Sequence, residues 1–272
     1  MTAIISFSLT RENKPLFQAE RYQQIFAAHQ LDGFLPLWLK EIDWFEVPNQ
    51  RRGGWSGVGQ LILSDGAGDL NVFVKKQQNH GRKTLLHPIR GEPTFRREFK
   101  RLTYLSSCQI AAPKVVFYGE DYVHNNACAI LVTEALVGFS PLDWVMEDWQ
   151  NKSQSTYQQK QNLIKAIALA VRRLHAAGLT HRALYPKHIF VKNAATHPEV
   201  AFIDLEKARF GLLFLYRSYF DLSALNRHLD VWTRTQKLAF FLHYFQVNQL
   251  NKGLKLLLRL ILRRSARSSL KR

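Results

Sequence analysis

The stretch LHAAGLTHRALYPKHIFV, residues 174–191, decides the fold. It closes a long helical pattern that runs from about Tyr157 to Ala177, with Leu163, Ile167, Ala170, Val171 and Leu174 on the inner face. A loop carrying His181, Arg182, Tyr185, Lys187 and His188 follows. A short hairpin then leads to VAFIDLEKARF, where an apolar strand ends on Asp204. A carboxylate ending a buried strand is commonly a cap or turn residue; one hairpin after a His-Arg loop, it becomes a candidate for chemistry.

Toward the N-terminus the character changes. Residues 16–40 hold Leu31, Phe34, Leu35 and Trp38 at helical spacing and predict an amphipathic leader. EIDWFEV, GVGQLILS and NVFVKKQ are short β-prone runs parted by the turn-forming RRGGWSG and DGAGD, a three-stranded meander. PTFRREFKRLTYLSS predicts a helix N-capped by Thr94, with Phe95, Phe99 and Leu102 inward. KVVFYG and AILVTEAL supply two more strands, and beyond Pro141 the pattern is mainly helical. The expectation is an α+β chain with a leader over 1–43, a small β-rich lobe over 44–136 and a larger α-helical lobe over 137–272.

The motifs fall in the order found in protein kinases. The loop fits the pattern H-R-D-L-x-x-x-N at His181, Arg182 and Leu184, with Ala183 in place of the aspartate and His188 in place of the asparagine. Glycines in RRGGWSGVG let backbone N–H groups approach phosphate oxygens, so Gly53, Gly54, Ser56 and Gly57 are candidates for nucleotide binding. A glycine-rich hairpin is more often only a hairpin. Lys75 ends an alternating apolar run and Glu98 lies on the next helix, as where a kinase lysine holds ATP phosphates and is paired by a helical glutamate. Strand alternation puts Lys76 on the other face. LVTEAL, with Glu134 and Leu136, fits the hinge beside a nucleotide, and Asp204 stands where the metal-binding aspartate of D-F-G belongs.

Together, RRGGWSG, FVKKQQNH, RGEPTFRREF, HRALYPKHIFV, FIDLEKAR and DLSALNRH resemble the bacterial lipopolysaccharide kinase family, the Kdo/WaaP group, and its InaA-like branch, roughly from Trp44 to Asp230. The resemblance implies a protein-kinase-like bilobal fold and phosphorylation of a sugar of the lipopolysaccharide inner core, with ATP and Mg2+ as cofactors. It implies His181, Arg182, His188 and Asp204 as catalytic residues, with His188 and Asp204 holding metal. The heptose kinases of the family also carry histidine where His188 stands, but they keep the aspartate that Ala183 replaces. Losing a general base typically removes about 10²–10⁴ in rate, while positioning and charge neutralisation supply most of phosphoryl transfer. Two expectations follow: an enzyme whose acceptor is oriented by His188, Tyr185 or Lys187, or an ATP-binding scaffold or stress-related protein at the inner membrane.

Thirty-eight Lys+Arg against 21 Asp+Glu leave a net charge of +17, which attracts polyanions. No nucleic-acid module is recognisable, so nucleic acid is not an expected partner. The insert KKQQNHGRKTLLHPIRGEPTFRRE, with Lys75, Lys76, His80, Arg82, Lys83, His87, Arg90, Arg96 and Arg97, suits an anionic saccharide. It is equally a solvated loop. The C-terminal NKGLKLLLRLILRRSARSSLKR sets Lys252, Lys255, Arg259 and Arg263 along one helical face, for contact with an anionic membrane or as the wet side of a core helix. A hydrophobic fraction of 46% excludes a disordered chain. No run reaches the roughly 18 apolar residues a span needs. The N-terminus lacks signal-peptide features, and Cys108 and Cys128 lack metal-ligand spacing. The expectation is a cytoplasmic protein in peripheral contact with the inner face of the cytoplasmic membrane.

Overall fold

A computed structural model describes residues 8–9, 15–45, 47–51, 53–64, 68–82, 91–151 and 155–269. Arg52, residues 65–67 of the expected DGAGD turn, Lys83, His87, Arg90, residues 1–7 and residues 270–272 lie outside the described residues. The chain divides into two compact units, residues 1–103 with 113–135, and residues 104–112 with 136–272.

The first unit is built on an antiparallel sheet of β1 (Ser8–Leu9), β2 (Pro15–Gln18), β3 (Asp43–Trp44), β4 (Asn49–Arg51), β5 (Gly54–Ser64) and β6 (Asp69–Gln78), with a separate small ladder of β7 (Gly81–Arg82) and β8 (Glu92–Pro93). Two long strands, β9 (Val115–Val123) and β10 (Asn126–Glu134), complete it in the order β1-β2-β9-β10-β6-β5-β3, with β4 also on β5. Alternation sends Val72, Val74, Ile130 and Val132 to one face, where they form a core with Phe26 of α1 (Gln23–Ala28), Phe34 and Leu37 of α2 (Phe34–Leu39), and both Val116 and Phe117, adjacent residues that an irregularity in the β9–β10 register brings to the same face. The leader, expected to be helical throughout, instead adds β1 and β2 to the sheet, β2 pairing with β9, and only then forms two short helices. Gly33, at φ 90°, resets the helical phase between them, so Leu37 points inward and Leu35 is exposed, contrary to the single stripe expected.

Helix α3 (Thr94–Ser107) buries Phe95, Phe99 and Leu102 as its spacing predicts, and Phe99 stacks on Tyr118 at 4.4 Å. Thr94 does not cap it. Thr94 is already helical, and the buried amide oxygen of Gln77 on β6 accepts from the Thr94 hydroxyl (2.8 Å) and the Phe95 N–H (3.2 Å).

The second unit holds β11 (Ser140–Pro141), α4 (Leu142–Asn151), α5 (Tyr157–Ala176), β12 (Leu179–Thr180), β13 (Ile189–Lys192), β14 (Glu199–Phe202) and β15 (Arg209–Phe210). Helices α6 (Phe214–Arg227), α7 (Arg234–Phe245) and α8 (Lys252–Ser269) follow. Thr156 and Gln159 cap α5 reciprocally, and Leu163, Ile167, Val171 and Leu174 are buried, with Ala170 half-buried. On α8, Ile261 and Ser265 are buried, and the Ser265 hydroxyl donates to the Ser223 carbonyl of α6 at 3.0 Å. Lys252, Lys255, Arg259 and Arg263 are exposed, as are Leu256, Leu260 and Leu262. Among the described residues no helix is long and apolar enough to cross a membrane.

Candidate active site

Alternate residues of β6 grip different elements. Lys75 points to α3, where its Nζ lies 2.6 Å from Glu98 Oε1, and Gln77 on the same face fixes the first turn of that helix. Lys76 points to the opposite face and donates to the carbonyls of Trp38 (2.9 Å) and Lys40 (2.6 Å). Lys76 is only 3% exposed, and burial pulls its pKa down to about 8. Of the basic residues expected to meet an anionic saccharide, Arg96 is already engaged by Glu120 and by Glu92 at 3.8 Å. Its bond to Glu120 pushes the guanidinium pKa further up, so this cation is neutralised within the unit.

The glycine-rich stretch forms the β4–β5 hairpin. A Cβ on Gly54 would lie 2.1 Å from the Gln78 carbonyl oxygen, and one on Gly57 would lie 2.9 Å from the Trp44 ring, so packing requires both glycines. Gly53, at φ 77°, has open space beside it and owes its place to the positive φ rather than to packing. Ser56 pairs with Asn49 in the hairpin. The Glu134 carboxylate is bound by the Tyr22 hydroxyl, Arg21 (3.0 Å) and Lys114 (3.9 Å), which leaves any nucleotide role of this residue to its main chain. Leu136 is half-buried, and its carbonyl accepts from Phe139 N–H at 3.1 Å.

In the second unit the loop after α5 hangs on one carboxylate. Asp221 of α6 accepts from the backbone N–H of His181 (2.6 Å) and of Arg182 (2.8 Å), and it also bonds His175 Nε2 (3.0 Å). His175 in turn meets the Tyr244 hydroxyl at 2.6 Å, and every member of the group is buried except Arg182. Arg182 sits at φ 66° and Asp204 at φ 57°, left-handed conformations that L-residues hold only when their surroundings dictate it. Ala183 is 1% exposed, and its carbonyl accepts from His188 Nδ1 at 2.8 Å. That bond places the imidazole proton on Nδ1.

His188 Nε2 then faces Asp204 Oδ2 at 3.5 Å. Burial pulls the pKa of His188 below the usual histidine value, so the ring is neutral near pH 7. A bare ring nitrogen and a carboxylate oxygen aim lone pairs at one another, an arrangement a cation relieves. Among the described residues no group of three or more His, Cys, Asp or Glu converges, so a metal here would complete its shell with water and phosphate oxygens, as Mg2+ commonly does. His181 is buried, with Nε2 on the Ile203 carbonyl at 3.0 Å. His181, Arg182, Ala183, His188 and Asp204 therefore come together, while Lys75 and Glu98 pair in the first unit. Asp221, His175 and Tyr244 escaped the reading of the sequence, although Asp221 opens DLSALNRH.

The profile of the lipopolysaccharide kinase (Kdo/WaaP) family matches residues 36–244. Protein InaA of Escherichia coli (strain K12) is 35% identical over 182 residues, which cover 65% of this chain and 79% of that one. The lipopolysaccharide core heptose(I) kinase WaaP of Pseudomonas aeruginosa is 30% identical over 162 residues, 56% of this chain and 59% of the enzyme. Among solved structures, WaaP in complex with acyl carrier protein matches with a TM-score of 0.68 at 22% identity, over 93% of this chain and 98% of that one. The fold is α+β and protein-kinase-like, with two lobes.

Proposed function

Because the chain belongs to the lipopolysaccharide kinase (Kdo/WaaP) family, we propose that it transfers the γ-phosphate of ATP to a sugar of the lipopolysaccharide core or a related anionic saccharide. The observation that carries this reading is the Lys75–Glu98 pair at 2.6 Å, an ammonium held ready for phosphate by a carboxylate that is itself 4% exposed. Gly53 and the main chain at 134–136 serve the nucleotide. His188 and Asp204 would hold Mg2+, which neutralises phosphate charge when bound. Asp221 positions the loop through its two backbone bonds. Ala183 brings no carboxylate to the acceptor, so orientation of the attacking hydroxyl falls to Tyr185 or Lys187, since both ring nitrogens of His188 are committed to Ala183 and Asp204.

The buried methyl of Ala183 also favours a second reading, an ATP-binding scaffold. One assay separates them: labelled γ-phosphate is followed onto extracted core oligosaccharide, beside calorimetry with Mg-ATP. The expected result is transfer by the parent and a fall of at least about 10²-fold in Lys75→Ala and Asp204→Ala, the usual effect of removing transition-state charge stabilisation. A parent that binds Mg-ATP but transfers no more than Asp204→Ala establishes the scaffold. If neither variant weakens Mg-ATP, the site itself is misassigned.

A further inference from the structure

Between β15 and the first turn of α6 the chain presents a run of large apolar side chains to solvent. Phe210 is 52% exposed, Leu212 101%, Leu213 70%, Leu215 57% and Tyr216 53%. Isolated exposed leucines need no explanation, but a contiguous set on one turn marks a contact surface. The backbone beneath is pinned: Gly211 N–H donates to the Gly178 carbonyl at 3.0 Å, the Arg217 guanidinium bonds the Gly211 carbonyl, and Arg217 N–H donates to Leu213 at 3.2 Å. The apolar tip is therefore held outward.

A basic helix adjoins it. Arg264 of α8 lies over the rings of Phe220 (4.0 Å) and Tyr219 (5.1 Å) of α6, which places the C-terminal half of α8 against the N-terminal half of α6. The outward side of α8 interleaves Arg259, Arg263 and Arg267 with the exposed Leu256, Leu260 and Leu262. No acidic residue occurs from Lys207 to Phe220 or anywhere in α8.

We propose that the 209–216 tip and the outward face of α8 form one docking surface for an anionic lipid bilayer, with Leu212 and Leu213 entering the interface and Arg263 and Arg267 meeting headgroup phosphates. Charge decides the occupant. A second copy would set these arginines against themselves on a chain of net charge +17, whereas an anionic bilayer complements them. The projecting leucines suit a fluid interface, and α8, 18 residues or about 27 Å long, suits a helix lying along it. The C-terminal charges alone suggested lipid contact; the apolar tip lies some forty positions earlier and is joined to them only by the fold.

The inference goes beyond phosphotransfer, and its test reads binding. The full chain is sedimented with vesicles of phosphatidylcholine, with and without phosphatidylglycerol. Strong association with the anionic vesicles only is expected, weakening as salt is raised. Leu212→Asp/Leu213→Asp should lower partitioning by about 100-fold or more, since each buried leucine contributes roughly a tenfold factor or better. Arg263→Ala/Arg267→Ala should lower it by about tenfold and flatten the salt dependence. Leu212→Ser, a milder change at a fully exposed position, checks that loss of binding is not loss of fold. A parent that ignores anionic vesicles, leucine variants that bind like the parent, or a dimer that Leu212→Asp dissolves would each overturn the proposal.

Discussion

At the scale of a residue, Asp221 has most to lose. Its carboxylate accepts from two consecutive amides, one belonging to Arg182 in a left-handed conformation, and from His175. Asp221→Asn keeps the shape but replaces one acceptor oxygen with a donor, so a buried N–H loses its partner. An orphaned buried group and a lost charge-assisted bond together cost about 2–4 kcal/mol, which lowers Tm by roughly 4–16 °C in a chain of this size. Melting curves measure the cost. At temperatures where the variant is still folded, transfer activity should fall further than Mg-ATP affinity, because the loop shifts while the Lys75–Glu98 pair does not. Asp221 was hidden in the sequence for a physical reason. His181, Arg182, His188 and Asp204 are local enough for spacing to show their relation, while Asp221 stands 40 positions from His181 and only folding brings it in.

At the scale of an element, β6 organises the first unit through alternation. Gln77 shows how. Thr94 looked like an N-cap because it directly precedes an apolar helical pattern, yet the acceptor for that helix end comes from a strand 17 residues earlier. No local pattern announces an acceptor supplied across a fold. Gln77→Leu, close in volume, leaves the Thr94 hydroxyl and Phe95 N–H without that acceptor at a cost of about 1–3 kcal/mol. Hydrogen exchange at Phe95 and the next residues of α3 should quicken well before global unfolding, with Mg-ATP binding weakened through Glu98. Unchanged exchange there would show that another group caps the helix. The leader had the opposite difficulty. Its apolar residues were legible, but Gly33 breaks their phase, so one long stripe proved to be two short ones.

At the scale of the whole molecule, the change from β-prone runs to long helical periods was plain because burial on one face imposes each period on the sequence. The exposed leucines at 212–215 were not, since an apolar run reads as core until its exposure is seen. The pH dependence of stability is also a property of the whole chain, and Lys76 gives it a particular form. With its folded pKa near 8 and an unfolded value near 10.4, the unfolded chain keeps a proton that the folded one has released between these limits. Stability from this group therefore rises with pH across that window and is lowest below pH 8, where the buried ammonium is charged in both states. Denaturant titrations from pH 8 to 9.5 should show this rise in the parent and a flatter profile in Lys76→Met; parallel profiles would mean that Lys76 is solvated.

The end of β6 reads VKKQQ, two identical lysines followed by two identical glutamines. If either lysine were deleted, Lys would still arrive at position 75 and Gln at position 77, facing Glu98 and Thr94 as before. Position 76 would change from a buried ammonium to a neutral amide, and position 78, where the Gln78 amide oxygen accepts from Trp55 Nε1 at 2.9 Å, would change from Gln to Asn. The apolar half of the strand, where Val72 and Val74 are fully buried, has no such redundancy, and it alone fixes the register. A one-residue deletion at the polar end of the strand therefore keeps both grips on α3, whereas one two or three residues earlier would turn the Val72 and Val74 positions off the core face.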